Sequence, residues 1–280
     1  MIQVRWHLLH GGSCVQYEKM VFPKERGLRK KIFPSLFSLI EHPTYGPILF
    51  DTGYSAHFLQ ATKQFPNRLY SLVTPVSFSA EQSALVQVER LGFQAKEIGT
   101  IILSHLHADH IAGLKDFSNA SIWVHRSAWS SIQLKSKLAA LRMGFLPDLL
   151  PDTIEDRLQL IDATFQIQLP AEYAPFKQGY DLLGDGSLIA VDLPGHAHGQ
   201  IGLLIQTFDH GMVFLIADCC WDRASYEKIL YPHRLTRILH ANHTAYINSL
   251  HMVNQFAVQH PQAEIVPSHC QSTWMKISAN

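Results

Sequence analysis

The chain has 280 residues, of which 47% are hydrophobic and 16% charged, so it can bury a large core and is not a disordered polypeptide. Its 23 basic and 23 acidic side chains cancel, which argues against a nucleic-acid partner, because such proteins carry a basic footprint. Four cysteines, two of them adjacent and none in a CxxC pair, give no disulfide framework, the first residues lack a signal-peptide pattern, and no apolar run approaches the roughly 18 residues of a membrane span. A cytoplasmic protein that does not enter the membrane is the expectation.

In chain order, residues 4–9 read as a strand ending at Gly11-Gly12. Residues 37–40 and 47–50 are short apolar strands separated by a turn at 42–46, and the second runs directly into Asp51-Thr52-Gly53. Ser79 with Gln82 three residues on is a capping-box pattern. It opens a helix over 80–91 with Leu85, Val88 and Leu91 on one face and Gly92 as its stop. Residues 98–103 are a β-branched strand leading into Ser104-His105-Leu106-His107-Ala108-Asp109-His110. A short helix over 111–117 and a strand over 121–125 follow. Residues 126–185 are the least regular, with a helix expected over 128–141. Strands return at 188–193, 202–206 and 213–217, before an amphipathic stretch over 234–260. A last strand, 264–266, ends at Pro267-Ser268-His269. Strands and helices alternate, which predicts an α/β fold.

Chemistry gathers at the strand ends. Seventeen histidines are already an excess suited to metal or proton chemistry. In extended chain, side chains two apart project the same way, so His105 and His107 can grip one ion. Asp109 and His110 follow at once, and four ligand-type residues within six positions suggest two ions side by side. His196, Asp218 and His269 each end another short apolar strand and can complete the set.

The ordered motifs Asp51-Thr52-Gly53, His105-x-His107-x-Asp109-His110, Pro194-Gly195-His196, Asp218 and Ser268-His269 resemble the metallo-β-lactamase superfamily over about residues 37–270. The resemblance implies a four-layer αβ/βα sandwich. It is expected as one domain, 1–280, with an irregular, partly helical insertion on the substrate side at about 126–185. It also implies roles. His105, His107 and His196 would hold one metal ion; Asp109, His110 and His269 would hold a second; Asp218 would bridge them. Asp51 would orient ligands by hydrogen bonds from behind. The ligand directly follows Pro-Gly in this family, which selects His196 over His198. Two divalent ions follow, with zinc best suited to the donor set and iron or manganese also compatible.

Two cations flanking one water would bring its pKa from about 15.7 to roughly neutral and generate a hydroxide nucleophile. The expected reaction is hydrolysis of a lactone or carboxylic ester, with Asp109 carrying the proton to the leaving group. The layout is most similar to the N-acyl homoserine lactone lactonases. Those often have Tyr three residues after the bridging Asp, where this chain has Trp221, whose indole N–H can donate a hydrogen bond but cannot serve as a phenolic acid. Tyr54, Phe58, Trp129, Phe145 and Trp221 are the expected pocket walls, suited to an acyl chain or aromatic ester. A phosphodiesterase or organophosphate hydrolase on the same two-metal site is one alternative. A metal-containing, catalytically inactive ligand-binding protein is another. The expected partner is a small-molecule substrate, without nucleic acid or membrane, and a homodimer is the family-based expectation.

Overall fold

The computed structural model describes residues 2–22 and 28–279. Its strands form two sheets. The first contains β1 (Arg5–Tyr17), β2 (Lys30–His42), β3 (Gly46–Phe50), β4 (Val76–Ser77), β5 (Thr100–Ile102), β6 (Ser121–His125) and β7 (Leu158–Ile161), in spatial order β4-β1-β2-β3-β5-β6-β7. The second contains β8 (Gln166–Gln168), β9 (Gln178–Asp181), β10 (Leu188–Asp192), β11 (Ile201–Thr207), β12 (Gly211–Ala217) and β13 (Glu264–Pro267), in order β13-β12-β11-β10-β9-β8.

Alternation along the strands explains why these sheets stack. Ile40, Ile48, Phe50 and Ile102 face inward and meet Leu188, Ala190, Leu203 and Leu215 of the second sheet. Their chain neighbours Leu39, Leu49 and Ile101 turn outward onto Val88, Ile111 and Phe117. Ile189, Val191, Leu204 and Phe214 turn outward on the other side, onto Leu250, Val253 and Phe256 of the helix His243–Gln259. Three buried apolar seams thus separate four layers, helix–sheet–sheet–helix, which is the expected αβ/βα sandwich. Fully burying each such side chain contributes about 1.5–3 kcal/mol, so the seams dominate cohesion.

Several expected elements differ locally. β1 does not stop at Gly11-Gly12; a register shift between His10 and Ser13 carries it on to Tyr17. The 80–91 helix is split. Ser79 and Gln82 do form their capping box around a single 3-10 turn, but Ser83 leaves helical geometry and caps a separate helix, Ala84–Arg90. The buried face of that helix is Ala84 and Val88, while Leu91 is exposed. The 128–141 helix is likewise two, Arg126–Ile132 and Lys137–Arg142, with Leu134 between them at φ 58°. The 234–260 stretch breaks at Asn242, whose side chain accepts from Ala245 N at 3.0 Å and starts the helix His243–Gln259. Residues 111–117 become the end of a helix, Ala108–Ile111, and a 3-10 turn, Leu114–Asp116. Within 126–185, β7 joins the edge of the first sheet and β8 and β9 the edge of the second.

The topology brings chemistry to one edge. β3 and β5 are parallel neighbours, and so are β12 and β13. β10 runs in the same sense as β12, because each is antiparallel to β11. The chain after the C-terminal end of each strand therefore opens at a common rim, the general location of sites in open α/β sheets.

Candidate metal centre

That rim collects all seven proposed ligands. Asp51 follows β3, Ser104 and His105 follow β5, His196 follows β10, Asp218 follows β12 and His269 follows β13. Donor atoms of His105, His107, His196 and Asp218 lie within 4.8 Å of one another, as do those of Asp109, His110 and His269. Asp218 also reaches the second group, with Oδ2 3.1 Å from His269 Nε2 and Oδ1 3.4 Å from His110 Nε2. His196 Nε2 is 3.2 Å from Asp218 Oδ2 and 2.9 Å from His107 Nδ1. His198, the neighbouring histidine, is exposed.

Hydrogen bonds behind the cluster fix which nitrogen faces inward. Asp51 accepts from the Ser104 amide at 2.8 Å and from Ser104 Oγ at 2.7 Å, and its Oδ2 also takes His110 Nδ1–H at 2.8 Å. His269 donates through Nδ1 to the carbonyl of Pro34 at 2.6 Å, since a carbonyl can only accept. His105 Nδ1 lies 3.0 Å from Ser104 Oγ, whose own proton goes to Asp51. Each of these imidazoles thus turns Nε2 toward the cluster. His105 Nε2, His110 Nε2 and Asp218 Oδ1 are buried without a hydrogen-bond partner. A buried polar atom left unpaired costs about 1–3 kcal/mol. Five imidazoles and two carboxylates with inward lone pairs are a donor set that fits divalent cations.

The electrostatics agree with this division. Burial, reinforced by neighbouring imidazoles, holds His105 well below its ordinary value and His107 at about 3, so both are neutral donors. Burial acts the same way on His110 and His269, but the carboxylates around them prevail and raise both. Burial would raise the Asp109 carboxyl; His110 and His269 pull it down instead, to about 2. Asp218 is lowered further, again against burial, by His269, His110 and His196.

The cluster forms part of a cleft of about 780 Å³. Its other walls are largely apolar, including Val21, Leu69, Val73, Leu141 and Met143. Of the five aromatic wall residues expected from the sequence, Tyr54 and Trp221 line this cleft and Phe145 lines a smaller neighbouring cavity of about 160 Å³. Two expectations are corrected. Phe58 is fully buried beneath Tyr54 and Tyr70, with ring centroids at 4.9 and 5.5 Å, so it supports the wall from behind. Trp129 packs against the helical side of the first sheet and lines neither cavity. Trp221 donates its indole N–H to Asp218 Oδ2 at 3.0 Å, and its ring lies 4.4 Å from that of His269. Ser104, Arg142 and His240 were not singled out by sequence. Ser104 carried a signal, since it directly precedes His105; His240 was one of many histidines.

A family model described as the metallo-beta-lactamase superfamily matches residues 32–253. The chain belongs to the metallo-beta-lactamase superfamily. It is a metal-dependent hydrolase of that superfamily. The N-acyl homoserine lactonase AttM of Rhizobium radiobacter is 24% identical over 278 residues, covering 98% of this chain and 96% of the relative. Among solved structures, an N-acyl homoserine lactone hydrolase with N-hexanoyl-L-homoserine bound at its catalytic metal centre aligns with TM-score 0.76 at 17% identity, covering 99% of this chain and 96% of that one. AidC, a dizinc quorum-quenching lactonase, aligns with TM-score 0.63 at 19% identity, covering 97% and 89%. These likenesses share the superfamily fold. No helix among the described residues is long and apolar enough to cross a membrane.

Proposed function

We propose that this single-domain chain is a dinuclear metal-dependent hydrolase of lactones or carboxylic esters. The observation that carries the reading is the seven-residue donor set, three of whose buried donor atoms are unpaired and four of whose residues line a largely apolar cleft. His105, His107 and His196 would hold one ion, Asp109, His110 and His269 the other, and Asp218 both; zinc suits these donors best. When bound, the ions supply an acidified water and a Lewis acid for the substrate carbonyl.

The chain's own groups do the rest. Asp51 keeps the proton of His110 on Nδ1, so that Nε2 stays available. Trp221 holds Asp218 Oδ2 in place through its indole N–H. Asp109 borders the cleft and is ionised, so its carboxylate can take a proton from the attacking water and return it to the leaving alkoxide. Apolar walls exclude water and suit an acyl chain. The lactonase names of the relatives point to the same bond type.

The test is a panel of lactones, p-nitrophenyl esters and bis-p-nitrophenyl phosphate, with metal content measured on the same preparation. Turnover of lactones or esters in proportion to about two bound ions is expected. Preferential cleavage of the phosphodiester, or turnover that ignores metal content, refutes the assignment.

A further inference from the structure

Outside the ligand cluster, Arg142 is the one formally charged side chain among the described residues on the wall of the large cleft. It also lines the side cavity of about 160 Å³. The two spaces share five residues, His107, Arg142, Met143, His196 and His240, so they flank the same two metal-ligand candidates. Arg142 makes no ion pair or side-chain hydrogen bond among the described residues. Arg142 is exposed, but its position is set by the chain around it. It ends the helix Lys137–Arg142, and the chain just beyond it is pinned to the His-rich turn. Gly144 O accepts from Ala108 N at 3.0 Å. Gly144 sits at φ 71°, and a Cβ there would meet His107 Cδ2 at 2.8 Å, so only glycine lets this backbone lie on the imidazole.

His240 is fixed by its own neighbours. Its ring stacks on Tyr246 at 4.1 Å and its Nδ1 pairs with His243 Nδ1 at 3.2 Å, which leaves Nε2 without a hydrogen-bond partner among the described residues. Ser131 and His198 add polar groups to the side cavity, while Ile132 and Phe145 close it with apolar surface. The result is a large, mainly apolar compartment and a small one of mixed polarity, meeting at the metal-ligand cluster.

We propose that Arg142 and His240 form a subsite in the side cavity for an anionic oxygen-acid group of the substrate, a carboxylate or phosphate, while the apolar remainder occupies the large cleft. The proposal deepens the hydrolase reading and rests on it for the location of the scissile bond. Guanidinium presents a planar fork that matches carboxylate and phosphate, and hydrogen bonds to ionised groups are about twice as strong as neutral ones. A neutral ester would leave the Arg142 charge without a ligand partner. The substrate class is therefore an ester or lactone that carries both an apolar segment and an anionic substituent.

The experiment compares metal-loaded enzyme on p-nitrophenyl pentanoate, on mono-p-nitrophenyl glutarate, which has the same acyl length with a carboxylate tip, and on the phosphonate-tipped ester of equal length. The wild type is expected to prefer an anionic tip in kcat/KM, and the better of the two tips identifies which acid is read. Arg142→Gln should cut that preference about ten- to hundredfold, His240→Gln should reduce it, and Arg142→Lys should restore part of it. Lys135→Gln, an exposed cation lining neither cavity, should leave the ratio as it was. Thermal melts check that each variant is folded. Calorimetric binding of pentanamide against glutaramate supplies a readout independent of turnover. No preference in the wild type, or a preference that survives Arg142→Gln, overturns the subsite while leaving the hydrolase reading intact. Anion-dependent binding lost in Arg142→Gln without turnover of any ester upholds the subsite and sinks the lactone or ester assignment.

Discussion

Replacing Asp51 with asparagine tests how far the ligand geometry depends on the groups behind it. Asp51 is 1% exposed and sits at φ 63°, a conformation that asparagine also tolerates, so the backbone can stay where it is. The change removes a charge and turns one acceptor into a donor. Whichever way the amide is placed, its NH₂ confronts a group that now donates, either the Ser104 amide or His110 Nδ1–H. The first leaves a buried amide unpaired, at a cost of about 1–3 kcal/mol. The second is relieved only if His110 moves its proton to Nε2, the atom facing Asp109 and Asp218 at 3.7 and 3.4 Å. Wild-type His110 can shed its Nε2 proton to an ion and keep Nδ1–H on Asp51, whereas in the variant the neutral imidazole holds its one proton on Nε2, so metal affinity should fall about 10–100-fold, the usual effect of losing a partner behind a ligand. A lower melting temperature by a few degrees should accompany it. Competition with a chelator measures affinity, and calorimetry measures the melt. An Asp51→Asn variant that binds both ions as tightly as the wild type would refute the tautomer argument.

Three further outcomes are expected. Neighbouring carboxylates raise His110 and His269 against the effect of burial, so in metal-free protein their stabilising pairs are complete below the unfolded value near 6.5. That stability is lost as pH rises through the folded values, and metal loading, which requires neutral imidazoles, should reverse the trend. Titrating metal into apoprotein near neutral pH in buffers of different ionisation enthalpy should reveal proton release; buffer-independent heats would contradict it. His196→Ala should lose about one equivalent of metal and His198→Ala none, read by elemental analysis. Trp221→Phe removes the 3.0 Å hydrogen bond to Asp218 Oδ2 and should lower kcat about tenfold with a smaller change in KM, whereas a change confined to KM would make the indole a wall and not a positioning group.

The legible and the illegible parts of this molecule divide by sequence distance. His105 to His110 could be read directly, because ligands two to five residues apart at a strand end meet without help from the fold. His196, Asp218 and His269 could be read as strand-end residues, since each short apolar run is long enough to betray its direction. Periodicity did not reveal helix breaks at Ser83, Leu134 and Asn242, where a local cap or a positive φ outweighs an amphipathic pattern that runs on unbroken. Nor could it reveal the cleft, whose walls come from near residues 20, 70, 140 and 230, brought together only when the sheets stack.

Trp221 shows the consequence for function. Its identity raised a question about the substrate, because an indole replaces a phenol. The geometry turns the indole inward, onto Asp218 and His269, so the residue bears on the metal ligands before it bears on the substrate. Selectivity must then come from groups that face open space and are not already spoken for. Arg142 and His240 meet that condition at the junction of the two cavities, and neither lies in a motif that spacing alone could single out.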